Sequence, residues 1–134
     1  MKKKICGLIL GLLTCFILAS CATKIDNNHK TLIDLITYFD NNGLKADKIY
    51  PALSDMIKAD SGAVLMLEGQ VFEVYKYNLN NPIQKARYDK IKESNHVLIL
   101  GFNHRVVLNG SFMLLNYQGH PKEAQIVETF EKFK

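Results

Sequence analysis

HVLILGFNHRVVLNGSFMLLNYQG, residues 96–119, carries the clearest local signal in this chain of 134 residues. Asn109-Gly110 falls between the strand-forming runs RVVL and SFMLL, and Asn-Gly is the preferred dipeptide of a type I′ hairpin turn. The run VLILGF before it reads as a further strand, with Asn103-His104 near a turn or bulge. Strands this close in sequence pair antiparallel, because parallel neighbours need a long crossover between them. The stretch therefore commits the chain to an antiparallel sheet, and the flanking segments decide what covers it.

Downstream, Pro121 opens a helix in which Ile126, Val127, Phe130 and Phe133 form one apolar stripe. Upstream, Asn80-Asn81-Pro82 opens another through about Glu93, with Ile83, Arg87 and Ile91 on a thin stripe that predicts a largely wet helix. GAVLMLEGQVFEVYKYN is rich in strand formers, and Phe72 and Val74 alternate with Glu73. Gly69 is poor in a strand interior, so a hairpin turning at Glu68-Gly69-Gln70 is preferred to one long strand. Leu32, Leu35, Ile36 and Phe39 recur at helical spacing from about Lys30 to Asn41, and Asn41-Asn42-Gly43 ends the run. Ile49, Leu53, Met56 and Ile57 repeat that spacing, with Pro51 near the first turn and Asp60-Ser61-Gly62 as the stop, which predicts a second, shorter helix. The expected fold is α+β: an antiparallel sheet of about four to five strands with helices packed mainly on one face, an N-terminal helical pair and a C-terminal helix.

The N-terminus, MKKKICGLILGLLTCFILASC, is of a different character. Removing Lys2, Lys3 and Lys4 from the 17 basic residues leaves 14 against 13 acidic ones, so the basic excess belongs mostly to this segment and gives no argument for nucleic acid. The uncharged run from Ile5 to Ser20 is shorter than the roughly 20 apolar residues of a spanning helix and suits a signal-peptide core. The competing reading is an uncleaved signal anchor. Leu18-Ala19-Ser20-Cys21 resembles the lipobox of bacterial lipoproteins at all four positions. Cys15, preceded by Thr14, is a poorer match. The resemblance implies cleavage after residue 20, a thioether-linked diacylglycerol on Cys21 and acylation, such as palmitate, of its new amino terminus. Ala22 after that cysteine implies the outer membrane in a Gram-negative envelope; otherwise the domain stands outside the plasma membrane. The expected organisation is signal peptide 1–20, short polar tether 21–29 and a single α+β domain 30–134.

All three cysteines, Cys6, Cys15 and Cys21, lie in this leader. Disulfides, thiolate metal sites and a catalytic thiol are therefore excluded from the domain. His29, His96, His104 and His120 show no HxxxH, HxH or HExxH spacing, although a hairpin between His104 and His120 would let those two approach. Ser54, Ser61, Ser94 and Ser111 lack a GxSxG elbow. No residue is put forward as catalytic or as a metal ligand, and no cofactor is expected. KARYDKIK concentrates Lys85, Arg87, Lys90 and Lys92 around Asp89. It reads first as a solvated face and second as a contact for anionic lipid headgroups.

These features favour a non-catalytic, lipid-anchored envelope domain that binds a protein or peptide partner in an assembly, masking, exclusion or immunity role. Tyr75, Tyr77, Arg87, His104 and Arg105 are the expected contact residues, because tyrosine with arginine suits a binding patch. Half-buried core tyrosines are the competing reading. The alternative function is a carrier of lipid or a small apolar ligand, in a cavity lined by Met66, Phe72, Phe112 and Met113. A third is an enzyme using His104 with a spatially assembled partner.

Overall fold

The computed structural model describes residues 25–134. The whole leader, the lipobox with Cys21, and residues 22–24 lie outside the described residues. Helix α1 (Leu32–Asn41) begins at a reciprocal cap. The Thr31 hydroxyl accepts from the Asp34 amide at 3.2 Å, and the Asp34 carboxylate accepts from the Thr31 amide at 2.7 Å. This satisfies two of the donors a helix N-terminus leaves open. It also holds the Asp34 carboxyl below its ordinary range. Leu35 and Phe39 face inward, one turn apart.

The second predicted helix does not form. Lys48–Pro51 is instead an edge strand, β1, followed by a single 3₁₀ turn, Ser54–Ile57, that stops at Lys58 in the left-handed region, φ +56°. Helical spacing misled because Ile49, Leu53 and Met56 are exposed and only Ile57 is buried. A stripe without a partner supplies little driving force, whereas pairing with the strand at Ser61–Leu67 supplies a ladder of hydrogen bonds.

β2 (Ser61–Leu67) and β3 (Gln70–Lys76) form the expected hairpin. Its two-residue turn has both Glu68 (φ +53°) and Gly69 (φ +75°) left-handed, the type I′ pattern. Asn81 caps α2 (Pro82–Ser94) by accepting from the amides of Ile83 and Gln84. VLILGF is not one strand but a hairpin of its own. β4 (His96–Ile99) turns at Leu100-Gly101 into β5 (Phe102–Arg105), and the pair forms a separate two-stranded sheet. β6 (Val107–Asn109) and β7 (Phe112–Leu115) close the main sheet, whose order is β1-β2-β3-β7-β6 with antiparallel pairing throughout. Asn109 pairs with Phe112, so the turn is Gly110-Ser111, one residue later than the sequence suggested. Gly110, at φ +57°, occupies the first central position, as in a type II′ turn. α3 (Glu123–Lys132) ends the chain as expected.

Strand alternation divides the sheet's side chains between two cores. On one face Leu65, Phe72, Val74, Phe112 and Leu114 pack against Leu35 and Phe39 of α1 and Ile126 and Phe130 of α3. On the other, Tyr75, Tyr77, Met113 and Leu115 pack against Tyr88 and Ile91 of α2, Ile57 of the 3₁₀ turn, and Val97 and Val106 at the β4–β5 hairpin. The α+β class and the C-terminal helix stand. Two helices share one face, and α2 with the small hairpin covers the other.

The segment read as a tether is partly built into this fold. Asn27 is 0% exposed, and its side chain reaches the β6–β7 turn. Only chain ahead of that residue is left to act as a link.

Gly62 lies opposite Tyr75 in the β2–β3 register, and an added Cβ would stand 2.5 Å from the tyrosine ring. Gly62→Ala is expected to cost about 1–3 kcal/mol through overpacking, read as a fall in the urea midpoint. Tyr75→Phe, which keeps the ring, should leave Gly62→Ala equally costly.

Candidate functional site

The expected contact patch does not assemble. Tyr75 is buried on β3 and donates its hydroxyl to Glu73 Oε2. Tyr77 is fully buried and donates to the Ile57 carbonyl at 3.1 Å. Burial, reinforced for Tyr75 by the Glu73 carboxylate, pushes both phenols well above their ordinary range, so they remain donors. These tyrosines pin the fold and have no free face to offer. Arg87 lies half-buried on α2, its Nη2 3.4 Å from the Leu98 carbonyl. His104 and Arg105 lie on β5, opposite Val97 and His96. Arg87 is therefore beside the small hairpin, while the two tyrosines are underneath it.

The histidines are also separate. His120 is buried in the other core, where its Nε2 donates to the Leu67 carbonyl at 3.0 Å and its Nδ1 accepts from the Lys122 amide at 3.0 Å. Both ring nitrogens are thus used by backbone groups. Among the described residues no group of three or more His, Cys, Asp or Glu side chains stands ready for a metal.

Ser111 and Lys76 do come together. The Lys76 ammonium donates to Ser111 Oγ, to the Asn28 carbonyl at 2.9 Å and to Asn28 Oδ1 at 3.1 Å. A serine hydroxyl beside a lysine of lowered pKa is the pairing used by Ser–Lys nucleophiles. Here Ser111 is 0% exposed, its Oγ also lies against Asn27, and no substrate carbonyl has access to it. The pair is a strut between the N-terminal segment and the sheet.

What remains open is half of one sheet face. Cross-strand register places Tyr50, Val64 and Glu73 in one row and Lys48, Met66 and Val71 in the next. Both rows share the face of Tyr75 and Met113, but α2 and the β4–β5 hairpin cover only the far half of it. Val64 and Met66 are half-buried, while Tyr50 and Val71 are exposed. Met56 of the 3₁₀ turn and Leu53 just ahead of it are also exposed. At its inner margin Glu73 is locked, one oxygen taking the Tyr75 hydroxyl and the other the Asn116 amide at 2.5 Å. The result is a shallow apolar floor with an immobilised carboxylate at one side.

No protein-family model matches the chain, and no curated protein or solved structure gives a significant match. Among the described residues no helix is long and apolar enough to cross a membrane.

The cavity expected of a carrier was to be lined by Met66, Phe72, Phe112 and Met113. Phe72 and Phe112 are fully buried parts of the first core, edge-on to Phe39 and Phe133 respectively, and Met113 is buried in the second. Met66 alone touches the open floor. Sequence reading missed this floor because exposure of a strand face depends on how far its cover extends. The covering hairpin was itself read as a single strand.

Burial pulls the Lys76 amine from its ordinary 10.5 down to about 8, opposed in part by Asp60 and Asp26. Between these pH values the unfolded chain holds more protons than the folded one, so stability is expected to rise with pH. Above about pH 10 the unfolded tyrosines ionise while the buried ones do not, so stability should then fall. The urea midpoint measured across this range should show both limbs in the native chain and only the falling limb in Lys76→Met.

Proposed function

We propose that this protein is a lipid-anchored domain of the bacterial cell envelope that acts by non-catalytic binding of a protein or peptide partner. The observation that carries the reading is the apolar floor of Tyr50, Val64, Met66 and Val71 on the half of the sheet face that α2 and the β4–β5 hairpin leave open. Contiguous exposed apolar surface is costly in water and marks interaction sites. The floor is preferred to the sheet edge beside it. β1 carries Pro51, which lacks an N–H, and Lys48, and both discourage addition of another strand. The rigid Glu73 carboxylate at the margin adds a directional acceptor, which favours a partner bringing a cation or amide donors to a mainly apolar contact.

Attachment through Cys21 supports the same reading. Each buried methylene is worth about 0.8 kcal/mol, so two or more acyl chains make a stable tether. A tethered binding domain gains local concentration without needing high intrinsic affinity. No catalytic role is assigned, because the Ser111–Lys76 pair is sealed and His120 is committed to backbone groups.

Two measurements test this proposal. Metabolic labelling with an alkyne fatty acid should mark the native chain and not Cys21→Ala, which should also lose detergent-phase partitioning. A photo-crosslinker at Tyr50 or Val71, on intact cells, should trap one discrete partner. The same probe at Gln125 on α3 should not, and Met66→Glu should abolish the adduct. Equal adducts from floor and control positions would refute the binding floor, whatever the outcome of the labelling.

A further inference from the structure

The β4–β5 hairpin ends in an apolar tip. Leu100 is 81% exposed and Phe102 72% exposed, and Leu98 projects from the same hairpin. Leu100 also holds a left-handed backbone, φ +49°, which a bulky side chain rarely adopts. A large apolar residue kept at such a position and wholly in water gives nothing to the fold in return.

The surroundings of this tip are cationic. Arg87 donates to the Leu98 carbonyl, which fixes the hairpin beside α2. There a groove is lined by Lys58, Arg87 and Lys90 with Pro82, exposed Ile83 and Ala86, and among the described residues no acidic side chain lines it. Asp55 and Asp60 flank Lys58 in sequence but do not enter this lining. Over α2 as a whole Lys85, Arg87, Lys90 and Lys92 outnumber Asp89 and Glu93, and only Lys85 is paired within the helix, to Asp89 at 2.6 Å.

The chain itself enters the domain at the same helix. Ile25, the first described residue, lines a second groove with Lys85, Tyr88, Asp89 and Lys92 of α2. Four peptide units separate Cys21 from Ile25, a reach of at most about 14 Å when fully extended. A domain held by lipid at Cys21 therefore keeps Ile25 within about that distance of the lipidated residue, with the face of α2 beside it close to the bilayer.

We propose that α2 and the β4–β5 hairpin form a membrane-docking face, with the Leu98, Leu100 and Phe102 tip entering the interface of an anionic bilayer and Lys58, Arg87 and Lys90 meeting its phosphate headgroups. Apolar side chains ringed by cations are the complement of such an interface, and the cations favour acidic lipid. This inference rests on the lipid-anchored reading of the chain. It goes beyond that reading by assigning a second, independent contact that orients the domain.

The chain contains no tryptophan, so Phe102→Trp supplies a single fluorescent reporter at an exposed site. The purified full-length lipidated protein carrying it is mixed with phosphatidylglycerol-containing or pure phosphatidylcholine vesicles. The expected result is co-sedimentation with both through the anchor, with a blue shift and protection from acrylamide only on the anionic vesicles. High salt should reverse the shift, since it screens surface charge. Loss of both charges in Arg87→Gln/Lys90→Gln should raise the acidic-lipid content needed for half-maximal shift, at roughly fivefold weaker docking per charge. Co-sedimentation without a blue shift on anionic vesicles would overturn the docking face and leave the anchor standing. A blue shift on anionic vesicles without co-sedimentation on phosphatidylcholine would remove the anchor and keep the docking face. A larger shift with an acidic peptide than with anionic vesicles would assign the face to a protein and overturn the proposal.

Discussion

Asn109, Gly110 and Ser111 form a polar knot on which the rest of this structure depends. The Ser111 amide donates to Asn27 Oδ1 at 2.8 Å, and the Ser111 carbonyl accepts from the Tyr77 amide at 2.9 Å. The Gly110 carbonyl takes the Tyr88 hydroxyl of α2. The Asn109 side-chain amide donates to the carbonyls of Phe130 and Phe133 at 2.6 and 2.8 Å, adding to the Phe133 amide that the Phe130 carbonyl already takes at the end of α3. One tight turn thereby joins the N-terminal segment, β3, α2 and α3. Gly110 is required there because a Cβ would run into the Asn27 side chain. Most of these polar groups, costly to bury alone, satisfy one another at the turn; Asn109 Oδ1 is buried without a partner among the described residues.

The same knot explains which parts of the fold were legible in the sequence. The β2–β3 hairpin, α1, α2 and α3 announce themselves through neighbours a few residues apart: Glu68-Gly69, the Leu32–Phe39 stripe, Asn81-Pro82, and the Ile126–Phe130 stripe. The β6–β7 hairpin was legible too, but its turn was displaced by one residue. Asn109 is drawn out of the turn to serve α3, and no local pattern encodes that demand. Asn27 and Asn28 read as loose tether because their partners lie dozens of positions away. Asn27 bonds residues 82 and 84 positions further on, and Asn28 reaches Lys76 and Leu79. The second helix failed for the opposite reason. Its spacing was helical, but nothing in the fold arrives to bury Leu53 or Met56.

The tyrosines of β3 show how a polar-looking strand face can be an interior one. Glu73, Tyr75 and Tyr77 alternate with Phe72 and Val74, which suggests that the tyrosines point outward. Their hydroxyls are instead matched to Glu73 and to the Ile57 carbonyl, so both rings enter the core at little polar cost. Gly62, opposite Tyr75, makes the room, and that cross-strand pairing was the available clue. With the tyrosines committed inward, the exposed apolar surface of this domain lies elsewhere. It lies on the floor beside β1 and at the tip of the small hairpin, both recognisable only once strand pairing is known.

Lys76 fixes where the N-terminal segment meets the sheet. An apolar residue at this position would pack on Phe112 just as the lysine stem does, and the Nζ lies 4.9 Å from that ring. It would not hold Asn28, however, and replacing a buried charge by an apolar residue is often neutral or favourable for stability alone. What the lysine adds is fixed geometry. Its ammonium ties the Asn28 backbone to Ser111, so the chain enters the domain at a defined point beside α2 instead of along a variable path. A tether that ends at a fixed point transmits orientation as well as proximity. In the proposed lipid-anchored arrangement, the Lys76 ammonium would give the tether a fixed end at Asn28, so that the uncovered surfaces keep a constant direction.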